Sequence, residues 1–335
     1  MYETVRTVSI TFAVTGWEPQ FPQAELPLKG EQVDGILAND GTDSASGSAD
    51  QESYVSEPIL TGLIGTHIQR SRSPDMHMRE ADAQGIRLAY KLFDLSEPTL
   101  EGEGLAVTLD AVQKAGFSGV NITHPFKQQV ISLLDELSPD ARRIGAVNTV
   151  LFRSGARIGY NTDCIGFLES FERQLLGVPM KKAVQLGAGG AGAATAMAML
   201  NLGCSELAIF DQEESRALEL ARRFDSSTGL QNRVRMVTDL NSELAGADGL
   251  INATPVGMDG HPGTPVAREL LRKEMWVAEI VYFPLETQLL KDARALGCRT
   301  ANGGQMAIFQ AARAFDLFTG RTADRDRMLA DFSNL

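Results

Sequence analysis

The chain has 335 residues, a formal net charge of −12, and 43% apolar against 22% charged residues. That length suits about two ordinary domains with their own cores, and the composition is that of a globular protein. The acidic balance argues against a nucleic-acid partner, and no apolar run approaches the roughly 18 residues of a membrane span. Cys164, Cys204 and Cys298 are too few and too scattered for a disulfide framework or a metal site, and no signal peptide is read at the start, so a reducing cytoplasm and no metal are expected.

Residues 1–57 differ from the remainder. Gly41-Thr-Asp-Ser-Ala-Ser-Gly-Ser-Ala-Asp-Gln-Glu-Ser53 is small, polar and acidic, with nothing to bury, and reads as a linker or disordered tail. Residues 7–14 offer a short strand before Pro19, Pro22 and Pro27 interrupt the chain. From Ile59 the pattern is regular. Strands are predicted at residues 59–64, 88–95 and 119–123, and helices at 74–83 and 105–115. A further helix is predicted from Pro125 to about Leu137, since proline suits a first helical turn. A second α/β unit starts near Lys182, with a strand at 183–186, a glycine-rich turn, a helix of small residues at 193–202 and a strand at 206–210. Later strands are read at 249–252, 276–281 and 298–301, and a helix at 306–318. Strands alternating with helices indicate parallel α/β structure.

Gly187-Ala188-Gly189-Gly190-Ala191-Gly192 satisfies G-x-G-x-x-G between an apolar strand and a helix. In that context glycines let the backbone turn tightly and approach a pyrophosphate, which the free N–H groups of the helix start then bind. The plainer alternative is a tight strand–helix turn with packing glycines. Asp211 ends the next strand, where an acid can accept hydrogen bonds from an adenosine ribose and repel a 2′-phosphate; it could equally be a strand-end cap. With Gln212-Glu213-Glu214 following and no arginine before Arg216, NAD is favoured over NADP.

Ser71 and Ser73 flank Arg72 just before Pro74, placing two hydroxyls beside a helix start, either as a carboxylate cradle or as plain capping groups. Lys127 falls in the first turn of the helix expected from Pro125. The positive end of that dipole would favour loss of its proton, as a base near neutrality requires, although a first-turn lysine is commonly just a solvated charge. Asp163 could be a turn residue.

Several segments in one order resemble the shikimate/quinate dehydrogenase family. They are Gly65-Thr-His-Ile-Gln-Arg-Ser71-Arg-Ser73-Pro-Asp-Met-His77, Asn121-Ile-Thr123-His-Pro-Phe-Lys127, Gly145-Ala-Val-Asn148-Thr with Gly159-Tyr-Asn-Thr-Asp163-Cys-Ile-Gly166, Asn252-Ala-Thr254-Pro-Val-Gly-Met258, Val281-Tyr282-Phe-Pro-Leu-Glu-Thr287 and Gly303-Gly-Gln-Met306-Ala-Ile-Phe-Gln310. The resemblance implies an α/β substrate domain (residues 58–163 plus 305–335), a Rossmann domain (164–304) and a cleft between them. It implies Lys127 and Asp163 as the catalytic pair. Ser71 and Ser73 would take the substrate carboxylate; Thr123, Asn148 and Gln310, with Tyr282, would meet the ring hydroxyls. The glycine turn, Asp211, Asn252 and Thr254 would hold the dinucleotide. The implied reaction is reversible hydride transfer between NAD(P) and the ring alcohol of shikimate, with quinate as the alternative substrate and a non-catalytic ligand sensor as a third reading. The implied assembly is a monomer or homodimer without membrane or nucleic-acid partners. Met78 after His77 and Thr66-His67 after Gly65 depart from the family's usual residues, and the region around Asp211 lacks the Asn-Arg-Thr of NADP-using members; the last two, with His124, resemble an NAD-using subgroup.

Overall fold

The computed structural model describes residues 57–96, 104–228 and 233–332, excepting the side chains of residues 225–228. The strand read at 7–14 and the linker read at 41–53 lie outside the described residues.

The first part of the described chain runs β1 (Ile59–Gly65), α1 (Ser73–Ala83), β2 (Leu88–Asp94), α2 (Gly104–Lys114), β3 (Gly119–Ile122), β4 (Glu136–Leu137), α3 (Pro139–Ile144), β5 (Thr149–Arg153), β6 (Ala156–Tyr160) and α4 (Thr162–Gln174). Its six strands form one sheet in the order β2-β1-β3-β5-β6-β4. β1 lies parallel to β2 and β3, but β5 runs antiparallel to both β3 and β6. The sheet is therefore mixed, where alternation alone predicted a parallel one. The hairpin between β5 and β6 turns on Ser154 and Gly155, both at positive φ (51° and 83°), the backbone that a two-residue hairpin loop demands.

The helix expected from Pro125 to Leu137 is absent. Residues 129–133 make one short 3-10 turn, and the chain then becomes extended. The reason is competition for backbone partners. Asp135 and Ser138 donate their N–H groups to Arg157 and Gly159 of β6, at 3.0 and 2.9 Å, so the segment joins the sheet as β4 rather than bonding to itself.

The second part runs β7 (Lys182–Leu186), α5 (Gly190–Asn201), β8 (Glu206–Phe210), α6 (Glu214–Thr228), β9 (Val234–Met236), α7 (Leu240–Ala245), β10 (Gly249–Asn252), β11 (Trp276–Glu279), α8 (Gln288–Leu296), β12 (Arg299–Ala301), α9 (Gly303–Thr319) and α10 (Arg325–Phe332). Its strands are all parallel, in the order β12-β11-β10-β7-β8-β9. The chain builds outward from β7 through β8 to β9, then crosses back to build from β10 the other way. A doubly wound sheet binds ligands at such a switch point, outside the carboxyl ends of the strands. Here the switch lies between β7 and β10, whose last residues Leu186 and Asn252 are paired in register.

Two helices join the sheets. The buried side of α4 includes Phe167 and Phe171, and Phe171 meets Trp276 of β11 edge-on, with ring centroids 5.0 Å apart. In α9, the buried Phe309 and Phe315 pack with Met76 and Ala81 of α1. Asn302 caps α9, its side chain accepting from the Gly304 N–H, and Gly320 ends it in the left-handed region at φ 70°.

Candidate active site

At the switch point Gly187 has φ 96°, and a Cβ there would come within 2.6 Å of the Ala253 carbonyl oxygen. A Cβ at Gly192 would meet Gly187 O at 2.3 Å. These two glycines are required by the fold of the turn itself. Gly189 differs: a Cβ there meets nothing within 4 Å, which leaves its backbone open to a phosphate group at the start of α5. The turn thus has both the packing glycines and an exposed helix start suited to a dinucleotide. Ala188 and Ala191 complete it, the Ala188 N–H being donated to Asp211 Oδ2 at 2.7 Å. Asp211 Oδ1 accepts from the Glu213 N–H at 2.9 Å. Asp211 therefore caps its strand and also anchors the glycine turn.

The start of α5 lies against Lys127: a Cβ at Gly190 would stand 3.8 Å from Lys127 Cδ. The lysine Nζ donates to Asp163 Oδ2 at 2.7 Å, with the carboxylate side chain 9% exposed. The helix dipole argued for Lys127 from sequence does not exist, because no α-helix begins at Pro125; its electrostatic partner is Asp163. Asn161 caps α4, its side chain accepting from the Cys164 N–H, and so fixes Asp163 in the first turn.

Asn148, 3% exposed, organises the group around this pair. Its Nδ2 donates to Asp163 Oδ1 and Thr162 Oγ1, both at 2.9 Å, while its Oδ1 accepts from the Thr162 N–H at 2.7 Å. Gln310 of α9 brings its Oε1 to the same place, 3.4 Å from Thr162 Oγ1 and 3.5 Å from Asn148 Nδ2. Segments distant in sequence thereby converge on one carboxylate and one ammonium.

Ser71 and Ser73 bond to each other. The Ser73 N–H donates to Ser71 Oγ at 3.3 Å, and neither hydroxyl caps α1, whose N-cap position is Arg72. Tyr90 donates to Asn121 Oδ1 at 2.8 Å, and Asn121 Nδ2 donates to Thr149 Oγ1 at 3.0 Å. A buried polar path thus joins Tyr90 to Asn148. Behind it His77 packs against Tyr90, centroids 4.8 Å apart, and burial pushes its pKa down to about 3, so it stays neutral. The side reading of Ser71 and Ser73 as helix caps is not realised.

Thr123 closes β3 and lies against Gly65, where a Cβ would meet its methyl at 2.3 Å. Tyr282 is 46% exposed. Desolvation raises its pKa; the Lys127 ammonium opposes that shift and the Asp163 carboxylate adds to it. Asn252 is fully buried and turned inward: Nδ2 donates to Val256 O and Glu279, and Oδ1 accepts from the N–H and hydroxyl of Thr254. Its side chain shapes the turn after β10, and Thr254 lies against Gly187.

Sequence reasoning missed Tyr90, Thr149 and Thr162, and left Asn121 without a role. The available signal was polarity inside otherwise apolar strands: Asn121 is buried in a four-residue strand, and Tyr90 is the buried centre of β2.

Comparison with known proteins fits this arrangement. A model of the shikimate dehydrogenase substrate binding domain matches residues 63–150, and one of the shikimate 5′-dehydrogenase C-terminal domain matches residues 303–330. The chain is 49% identical to a shikimate dehydrogenase (NADP(+)) of Streptomyces avermitilis over 286 residues, 85% of this chain and 97% of that protein. It is 46% identical to a quinate/shikimate dehydrogenase (NAD(+)) of Corynebacterium efficiens, over 83% of this chain and 99% of that one. Among solved structures it resembles quinate dehydrogenase from Corynebacterium glutamicum in complex with NAD, with TM-score 0.79 and 44% identity, covering 83% of this chain and 99% of that one.

Proposed function

This chain belongs to the shikimate dehydrogenase family of NAD(P)-dependent oxidoreductases, and we propose that it interconverts shikimate and 3-dehydroshikimate with a preference for NAD. The observation that carries this reading is the Lys127–Asp163 pair, 2.7 Å apart and set against the start of the glycine-turn helix. A dinucleotide held by the Gly187–Gly192 turn and Asp211 would supply the hydride chemistry at the alcohol carbon. The chain's own groups do the remainder. Lys127 takes or returns the hydroxyl proton, with Asp163 holding the lysine head in place. Asn148 orients Asp163 and, with Thr123 and Gln310, offers donors and acceptors to the ring hydroxyls. Ser71 and Ser73 take the carboxylate, and Tyr282 closes the mouth. Holding the alcohol carbon over the nicotinamide is most of the protein's contribution. Functionally, we divide the chain into a substrate part (58–163 with 305–335) and a dinucleotide part (164–304).

The preference for NAD rests on Asp211, whose carboxylate would face a 2′-phosphate with like charge. Shikimate is placed ahead of quinate because Ser73 is the smaller of the residues the family uses at that position. One methyl group in a pocket is worth only about 1–3 kcal/mol, so the preference would be partial. Quinate oxidation is the second reading, favoured by the acid at position 211, a feature associated with the NAD-using subgroup. An initial-rate matrix decides between them: shikimate and quinate, each with NAD and with NADP. The expected order of kcat/KM is shikimate with NAD first. A higher value for quinate with NAD transfers the assignment to quinate dehydrogenase, and a higher value with NADP overturns the cofactor reading.

A further inference from the structure

One buried carboxylate has no part in the chemistry described above. Glu279 ends β11, is 2% exposed and is paired in register with Asn252 at the end of β10. Its Oε1 accepts from the Val281 N–H at 3.0 Å and from Asn252 Nδ2 at 2.9 Å; its Oε2 accepts from Asn252 Nδ2 at 3.1 Å and from Thr287 Oγ1 at 3.1 Å. Each donor lies at or just beyond the carboxyl end of a strand of the second sheet. Asn252 starts the turn that continues through Thr254 to Val256 and lies against Gly187. Val281 immediately precedes Tyr282. Thr287 caps α8, accepting from the Leu290 N–H, and closes the stretch that begins at Tyr282. A buried carboxylate is costly unless every donor around it is satisfied, and a hydrophobic or small residue at this strand end would fill the space without that cost. The arrangement therefore points to a task beyond packing.

We propose that Glu279 is a positioning residue for the hydride-transfer site: it locks the turn that backs the dinucleotide-binding glycines to the segment carrying Tyr282, and so fixes where that segment sits. This rests on the dehydrogenase reading above and names a residue that reading does not use. Glu279 touches neither reacting atoms nor the candidate acid–base pair; it acts through Tyr282 and through Asn252. The groups facing its carboxylate are neutral: the Asn252 amide, the Thr287 hydroxyl, and the N–H groups of Val281 and Ile280. Burial outweighs these donors and pushes its pKa up to about 7.

The test uses the full chain and three variants: Glu279→Gln, Tyr282→Phe and the double variant. Gln keeps the volume and an oxygen for the Val281 N–H, so the fold should survive. Its amide N–H groups replace Oε2, where they oppose Asn252 Nδ2 donor to donor and force the Thr287 hydroxyl to turn from donor to acceptor, which loosens the Asn252 turn. The expected results are a threefold or larger rise in the NAD dissociation constant by calorimetry, and a fivefold or larger fall in kcat with KM for the acid substrate changed less than twofold. The kcat loss from Glu279→Gln should shrink below twofold when Tyr282 is already Phe, because residues acting as one unit are not additive. Wild-type kcat and NAD affinity in Glu279→Gln, or a kcat loss of the same size in the Tyr282→Phe background, would overturn the proposal. If the wild type oxidises neither shikimate nor quinate, the dehydrogenase reading fails on its own. The calorimetric comparison, which needs no turnover, then still decides whether Glu279 organises the dinucleotide site.

Discussion

At the scale of single residues, Lys127 and Asp163 carry the most testable content. Each is held by a partner that does not depend on substrate: Lys127 by the 2.7 Å contact to Asp163, and Asp163 by Asn148 Nδ2 and the first turn of α4. Lys127→Ala and Asp163→Asn should each lower kcat by on the order of 10²-fold or more, the scale of general acid–base catalysis. NAD binding, followed by calorimetry, should change little, because neither side chain belongs to the glycine turn. A near-normal kcat in Lys127→Ala would remove the lysine from the mechanism. Asp211 is a different case, since its carboxylate anchors Ala188 as well as carrying charge. Asp211→Ala should narrow the NAD-over-NADP ratio of kcat/KM, by on the order of tenfold, the worth of one charge-assisted contact. It should also raise KM for NAD, because the turn loses its anchor. A variant that gains NADP activity with no change in KM for NAD would show that the anchor is dispensable.

At the scale of elements, the ends of β10 and β11 and the cap of α8 meet at one carboxylate, and this gives a pH dependence whose sign follows from burial. Glu279 moves from an ordinary value of 4.5 to about 7 in the folded chain. A raised carboxyl pKa means that the native state holds the proton more tightly than the unfolded chain does. Its contribution to stability is complete below pH 4.5 and is lost as pH rises from 4.5 through 7, by about 3 kcal/mol at most. Melting temperatures measured from pH 5 to 8 should therefore fall with rising pH in the wild type relative to Glu279→Gln. Parallel curves for the two proteins would mean that the carboxyl titrates normally and that its burial is relieved in solution.

At the scale of the whole molecule, the unit Val55–Leu335 contains both sheets and every candidate site residue. The composition of residues 41–53 offers it no apolar surface. A chain of residues 56–335 should therefore melt cooperatively, within a few degrees of the full protein, and retain its kcat. A loss of more than about half the activity would give the N-terminal segment a role that its composition does not suggest.

Much of this was legible in the sequence, for reasons that differ by region. The second sheet was readable because its strands are short, apolar and parallel, and because Gly187, Gly189 and Gly192 sit between a strand and a helix, where local steric demands alone select glycine. Lys127, Asp163, Asn148 and Gln310 were named through motif resemblance, and local pattern could not have joined them. The segment after Pro125 shows the limit of local reasoning. Residues 129–137 have a composition compatible with a helix, yet their N–H groups go to β6, and only the position of that strand decides it. Tyr90, Asn121, Thr149 and Thr162 look like ordinary strand and turn residues until the sheet sets them side by side. Glu279 is the plainest instance. Its charge and strand position are visible in the sequence, but its burial, and the three segments that donate to it, exist only once β10, β11 and α8 have packed. Sequence by itself determined the glycine turn, the family and the chemistry-bearing residue types, because those depend on backbone conformation and on motifs a few residues long. The tertiary structure alone decided the mixed first sheet, the loss of the helix expected at Pro125 and the polar network behind the site, because hydrogen bonds between distant segments are settled by which strands lie adjacent.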